Sequence, residues 1–145
     1  MTLQLNHFSI RSADLPACQR FYCDALGLAV GPRPPFPFAG LWLYAGDTAL
    51  TSNAVVHIIG IDRNDPEGLK QYLGDKPESS LQGTGAVDHI AFFTTGLAAT
   101  LARLNIQGVP FRERTVPSLN LHQVFVDDPH GVVIELNFPA GEHKT

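Results

Sequence analysis

Cysteine, methionine and tryptophan are scarce in this chain of 145 residues, which has two, one and one of them. The two cysteines, Cys18 and Cys23, lie in a stretch that reads as helical, at a spacing that puts them on different faces. No CxxC occurs, so neither a disulfide nor a thiolate metal site is expected. Two free thiols fit a reducing compartment, and the protein is expected in the cytoplasm. Long hydrophobic runs are missing too: nothing approaches the ~20 apolar residues that span a bilayer, so no membrane partner is expected. The opening MTLQLNHFSI lacks the basic start and apolar stretch of a signal peptide. Positive charge is sparse and scattered, with ten Lys and Arg against fourteen Asp and Glu and a net charge of −4. Without a basic stripe to neutralise phosphates, nucleic acid is excluded as a partner.

What is present suffices for a folded core: 44% of residues are hydrophobic and only 17% are charged. The chain reads as two modules with the same order of elements, a strand, a helix and three strands. The first module, 1–60, opens on a strand over roughly 3–10. A helix follows, with Asp14 as N-cap, Pro16 in its first turn and Gly27 just past its end. GPRPPFPFAG (31–40) is too proline-rich for regular structure and reads as a stiff loop. Strands around LWLYAG and AVVHIIG complete this half. Residues 61–86 read as a connector with a short helix near Glu67–Leu73. The second module, 87–140, restarts at AVDHIAFF and continues with a helix from Leu97 to Ile106, whose stripe is Leu97, Leu101 and Leu104 and which Gly108 closes. Strands follow at PFRERTV, LHQVFV and VVIELNF, the last two joined by the tight turn DDPHG. Residues 141–145 read as a tail.

Within this repeat, His7, His57, His89 and Glu135 each sit in an apolar, alternating run, the members of the first pair 50 positions apart and those of the second 46. Alternation places each of them on the opposite face from its large apolar neighbours. A lone histidine in an apolar strand is more often a hydrogen-bonded core residue. Four such positions in a repeated pattern argue instead for one site. A buried carboxylate needs a cation beside it, and a metal supplies one. Three imidazoles and one carboxylate suit a divalent ion such as Zn, Ni, Fe or Mn.

The segments NHFSI, DLPACQRFYCDALGL, DHIAF and DDPHGVVIEL together resemble the vicinal oxygen chelate superfamily. That superfamily includes glyoxalase I, methylmalonyl-CoA epimerase, extradiol dioxygenases and the fosfomycin and bleomycin resistance proteins. The resemblance spans nearly the whole chain. It implies an α+β fold of two βαβββ modules forming a cupped, open mixed sheet around a metal site, and it places the ligands at His7, His57, His89 and Glu135. It further implies a small-molecule substrate held through two oxygens, and a homodimer.

Four protein ligands leave two positions of a six-coordinate ion for a chelating substrate. This suits isomerisation or lyase chemistry through an enediolate, with Glu135 as catalytic base. His57 departs from glyoxalase I, which usually has a carboxylate there. An extradiol dioxygenase of catechol-like substrates would use His7, His89 and Glu135 alone, with His57 off the metal and His122 assisting catalysis. Phe125 then stands where that resemblance favours tyrosine. A ligand-sequestering resistance protein generally lacks these ligands. Arg33, Phe36, Phe38 and Trp42 are candidates for the substrate pocket, whereas His130 and His143 read as surface residues.

Overall fold

The helix start signals and the alternating strands predicted from the sequence organise two four-stranded mixed sheets in a computed structural model, which describes residues 5–85, 87 and 89–144. The chain divides between Leu81 and Gln82 into two units.

In the first unit the order is β1 (Phe8–Ser12), α1 (Leu15–Gln19), β2 (Ala29–Gly31), β3 (Gly40–Tyr44), β4 (Ala54–Gly60) and α2 (Glu67–Leu73). The sheet runs β1-β4-β3-β2, with β1 parallel to β4 and the other pairs antiparallel. Asp14 accepts the amide of Ala17 at 2.9 Å and so caps α1, with Pro16 in the first turn. The helix then widens into a π-helical turn over Arg20–Ala25, where the Leu26 amide reaches the Phe21 carbonyl at 3.0 Å. Gly27, at φ +89°, closes it. Strand β4 alternates strictly: Ala54, Val56 and Ile58 are buried, and Val55, His57 and Ile59 are half-buried. The buried set joins Phe21, Tyr22, Ala25, Leu43 and Tyr44 in the core of this unit. Each large apolar side chain so buried stabilises the fold by about 1.5–3 kcal/mol.

The proline-rich loop is tied down as well as stiff. The buried Tyr44 hydroxyl donates to the Pro32 carbonyl at 2.6 Å, and the Gly60 amide to the Ala39 carbonyl at 2.8 Å. The stretch predicted as a connector belongs in large part to this unit. Helix α2 packs onto the loop at Gly68, where a Cβ would lie 2.1 Å from the Pro37 carbonyl oxygen. Arg63 pairs with Glu78, and Arg11 donates to Ser80.

The second unit repeats the topology with β5 (Ile90–Phe93), α3 (Leu97–Ile106), β6 (Phe111–Val116), β7 (Leu121–Asp127) and β8 (Val133–Pro139), the sheet running β5-β8-β7-β6 with β5 parallel to β8. Leu97 and Leu104 are buried along with Val124, Val126, Ile134, Leu136 and Phe138. The Asp128 carboxylate accepts the amides of His130 and Val132, both at 2.8 Å, which sets the turn between β7 and β8.

Three expectations need correction. The first strand begins at Phe8 rather than near residue 3, whose surroundings lie outside the described residues, so His7 stands at the mouth of β1. His89 likewise precedes β5. The segment read as a tail is a 3-10 turn over Ala140–Lys144 that is anchored to the unit: the Ala140 amide donates to the Asn120 carbonyl at 3.0 Å, and Glu142 Oε2 accepts the amides of Gly96 and Leu97 at 2.8 and 2.7 Å. A carboxylate from far along the chain thus caps α3, whose own N-cap residue is a glycine with no side chain to do so.

Candidate functional site

The two units hold their polar pairs in equivalent positions. Ser9 of β1 is the register partner of His57, and His7 lies two residues before it. Ala91 of β5 is the register partner of Glu135, and His89 lies two residues before it. A period of two keeps each histidine on the same face as its partner residue, so parallel pairing of the first and last strands brings the members of each pair together.

In the first unit the His7 and His57 rings are stacked with centroids 3.8 Å apart, and Trp42, the register partner of His57 on β3, covers the other face of that ring at 4.1 Å. His57 Nε2 lies 3.1 Å from the Ala54 carbonyl. A carbonyl only accepts, so this nitrogen carries the proton and Nδ1 keeps its lone pair. Burial, reinforced by the charge of His7, pushes the His57 pKa down to about 4, although the Ala54 carbonyl acts in the opposite direction. His57 is therefore neutral near pH 7.

In the second unit His89 Nε2 lies 3.1 Å from Glu135 Oε2. The Glu135 side chain is 8% exposed, and its other oxygen is fully engaged: Oε1 accepts the side-chain amides of Gln123 and Asn137, both at 2.7 Å. Gln123 also donates to Asn137 Oδ1 at 2.9 Å and accepts from Arg114 Nε and Nη2 at 2.9 and 2.6 Å. Gln123 and Asn137 escaped the sequence reading. Their signal was alternation: Asn137 is two residues from Glu135, and both residues share its face.

His122 does not join this arrangement. It precedes Gln123 in β7, and neighbours in a strand point to opposite faces. The structure buries it at 2% exposure, with Nε2 2.7 Å from Glu113 Oε2, Nδ1 2.8 Å from Thr115 Oγ1 and the His143 ring stacked on it at 4.0 Å. The sheet separates it from Glu135. Glu113, His122 and His143 form a compact group of ligand-type atoms, all within 4.8 Å of one another.

Arg33, Phe36, Phe38 and Trp42 line one cavity of about 690 Å³ in the first unit, together with His7 and His57. Phe36 and Phe38 stack at 5.3 Å, and the Arg33 guanidinium sits 5.0 and 5.2 Å from their centroids. Tyr72 of α2, which no sequence signal marked, leans on both phenylalanines at 5.3 and 5.2 Å.

Three imidazoles and one carboxylate are donors whose chemistry suits a divalent ion, and within the second unit His89 Nε2 and Glu135 Oε2 lie 3.1 Å apart. The amides that pin Glu135 and the carbonyl that orients His57 are outer partners of the kind metal ligands use.

Similarity to known structures follows the same architecture. A glyoxalase family protein from Enterococcus faecalis is 22% identical, with 92% of this chain and 96% of that one covered and a TM-score of 0.58. The trypanothione-dependent glyoxalase I of Leishmania major is 20% identical over 99% and 91% of the two chains, with a TM-score of 0.61. The fosfomycin resistance protein FosX of Listeria monocytogenes is 15% identical over the whole of both chains, with a TM-score of 0.62. These likenesses show the fold. No curated protein matches the chain by sequence. The family model for the Glyoxalase/Bleomycin resistance protein/Dioxygenase superfamily matches residues 4–136, and the chain belongs to that superfamily.

Proposed function

We propose that the protein is a metal-dependent enzyme of the glyoxalase type, catalysing isomerisation or lyase chemistry on a small substrate that offers two neighbouring oxygens. In this proposal His7, His57, His89 and Glu135 are the residues that would hold one divalent ion. Such an ion would supply Lewis-acid polarisation of a substrate carbonyl. The observation that carries this reading is the asymmetric environment of Glu135, with Oε1 fixed by Gln123 and Asn137 and Oε2 left facing His89.

Glu135 Oε2, once off the ion, takes a proton from the carbon next to the substrate carbonyl and returns it to the neighbouring carbon. Gln123 and Asn137 keep the carboxylate from rotating while it does so, which lowers the reorganisation needed at the moment of transfer. His57, neutral and oriented by Ala54, contributes a lone pair rather than a proton. Phe125, the register partner of Glu135, stands edge-on to His89 at 6.4 Å and offers no hydroxyl, which favours proton transfer over ring-opening of a catechol.

Two measurements test the proposal. Protein purified without chelators is expected to carry about one divalent ion per chain, lost in Glu135→Ala and in His57→Ala. It is also expected to exchange the α-proton of a hemithioacetal with solvent deuterium. A wild-type protein that stays metal-free after loading with Zn, Ni, Fe or Mn would sink the idea. The pairs belong to a homodimeric enzyme in this proposal. If each site draws on two chains, mixing the His57→Ala and Glu135→Ala proteins restores metal binding; if each chain builds its own site, mixing restores none.

A further inference from the structure

The cavity beside His57 has a definite chemical character. Its volume, about 690 Å³, suits a small ligand. Phe36, Phe38, Trp42 and Tyr72 form an aromatic side to it, while Thr51 and Ser52 are among the polar residues that also line it. Among the described residues no acidic side chain lines it, and Arg33 is its only lysine or arginine. Arg33 donates one Nη2 bond, to the Phe38 carbonyl at 2.7 Å, and forms no ion pair among the described residues. Among the described residues most of its N–H fork therefore has no acceptor, though such a fork matches a carboxylate with two parallel bonds. Partial burial lowers the Arg33 pKa from its ordinary value.

We infer that the substrate carries a planar aromatic ring and a carboxylate in addition to its two neighbouring oxygens, the ring held among Phe36, Phe38 and Trp42 and the carboxylate paired with Arg33. This deepens the proposed function and rests on that reading for the chemistry that follows binding. Recognition itself requires only the first unit. An aliphatic acid would lose the stacking contacts, and a neutral aromatic would leave the guanidinium without its anion, so each partial match binds more weakly.

Trp42 is the chain's single tryptophan and lines the cavity, so its fluorescence reports this site. The experiment titrates the chelator-treated full chain with benzoate, with its neutral analogue benzamide and with the non-aromatic acid cyclohexanecarboxylate. Saturable quenching by benzoate is expected, at least about ten-fold tighter than by either of the others. Arg33→Gln is expected to erase the preference for benzoate over benzamide while benzamide binding persists. Phe38→Leu is expected to erase the preference for benzoate over cyclohexanecarboxylate. Equal affinities for benzoate and benzamide in the wild type would overturn the inference whether or not the variants fold, as would quenching by none of the three.

Because the metal is removed, the two ideas fail separately. Aromatic-acid binding by a protein that never takes up metal retains this inference and rejects the proposed function. Normal metal content without aromatic-acid binding does the reverse.

Discussion

Gln123 Nε2 lies 2.7 Å from Glu135 Oε1 across the β7–β8 pair, while two N–H groups of Arg114 hold the oxygen of the same amide. The bond joins residues of neighbouring strands that are not register partners, since Gln123 pairs with Asn137 and Glu135 with Phe125. The amide thus acts as a strut from an exposed arginine to a buried carboxylate, and it fixes which carboxylate oxygen is left available.

That strut makes Gln123 a positioning residue. Gln123→Ala is expected to weaken divalent-metal affinity about 10–100-fold, measured by competition with a chromogenic chelator. Gln123→Glu, which puts a second carboxylate against Glu135, should weaken it by a different route and shift the pH dependence of binding. Unchanged affinity in Gln123→Ala would show that the oxygen facing His89 needs no such support.

The stability of the metal-free chain should depend on His57. Its folded pKa is near 4 and its unfolded one near 6.5. Between those values the unfolded chain binds more protons than the folded one, so stability rises with pH there. The contribution is complete above pH 6.5 and is lost progressively as pH falls towards 4. Urea unfolding of chelator-treated protein at about pH 7.5 and pH 5 is expected to show a larger loss for the wild type than for His57→Phe, which keeps a ring between His7 and Trp42. Equal losses would mean that His57 is not held neutral.

Helix α3 depends on a cap supplied from residue 142. Glu142→Ala strips the acceptor from the amides of Gly96 and Leu97 and is expected to cost about 1 kcal/mol, read from the urea midpoint. An unchanged midpoint would place that carboxylate in solvent.

Gly68 sets how closely α2 approaches the proline-rich loop. In Gly68→Ala the new Cβ would lie 2.1 Å from the Pro37 oxygen, so the helix must move. Alanine's better helix propensity, up to about 1 kcal/mol, is outweighed by a clash with backbone that costs about 1–3 kcal/mol. Lower stability is expected, with a shift in Trp42 emission as Tyr72 withdraws from Phe36 and Phe38. A more stable variant would show that the approach is looser.

Local order was largely legible in the sequence. The bounds Leu97–Ile106 and Glu67–Leu73 coincide with the helices found, because Gly and Pro punctuate helices through backbone terms that act within a few residues. Alternation in AVVHIIG and VVIELNF marked the strands for the same reason, and the duplicated order strand, helix, three strands recurs in both sheets. The short β2, Ala29–Gly31, carries no alternation long enough to read.

Within each unit the sequence by itself determined the residue types of the candidate site and the side of each strand that His57 and Glu135 occupy. Tertiary structure decided the rest. It shifted β1 so that His7 stands at its mouth, joined Gln123 and Asn137 to Glu135, put His122 beyond the sheet against Glu113 and His143, and leaned Tyr72 on the aromatic wall. The physical reason is range. Backbone preference and side-chain alternation are set by near neighbours in sequence, whereas a hydrogen bond across strands or a helix lying on a loop joins residues that only folding brings together.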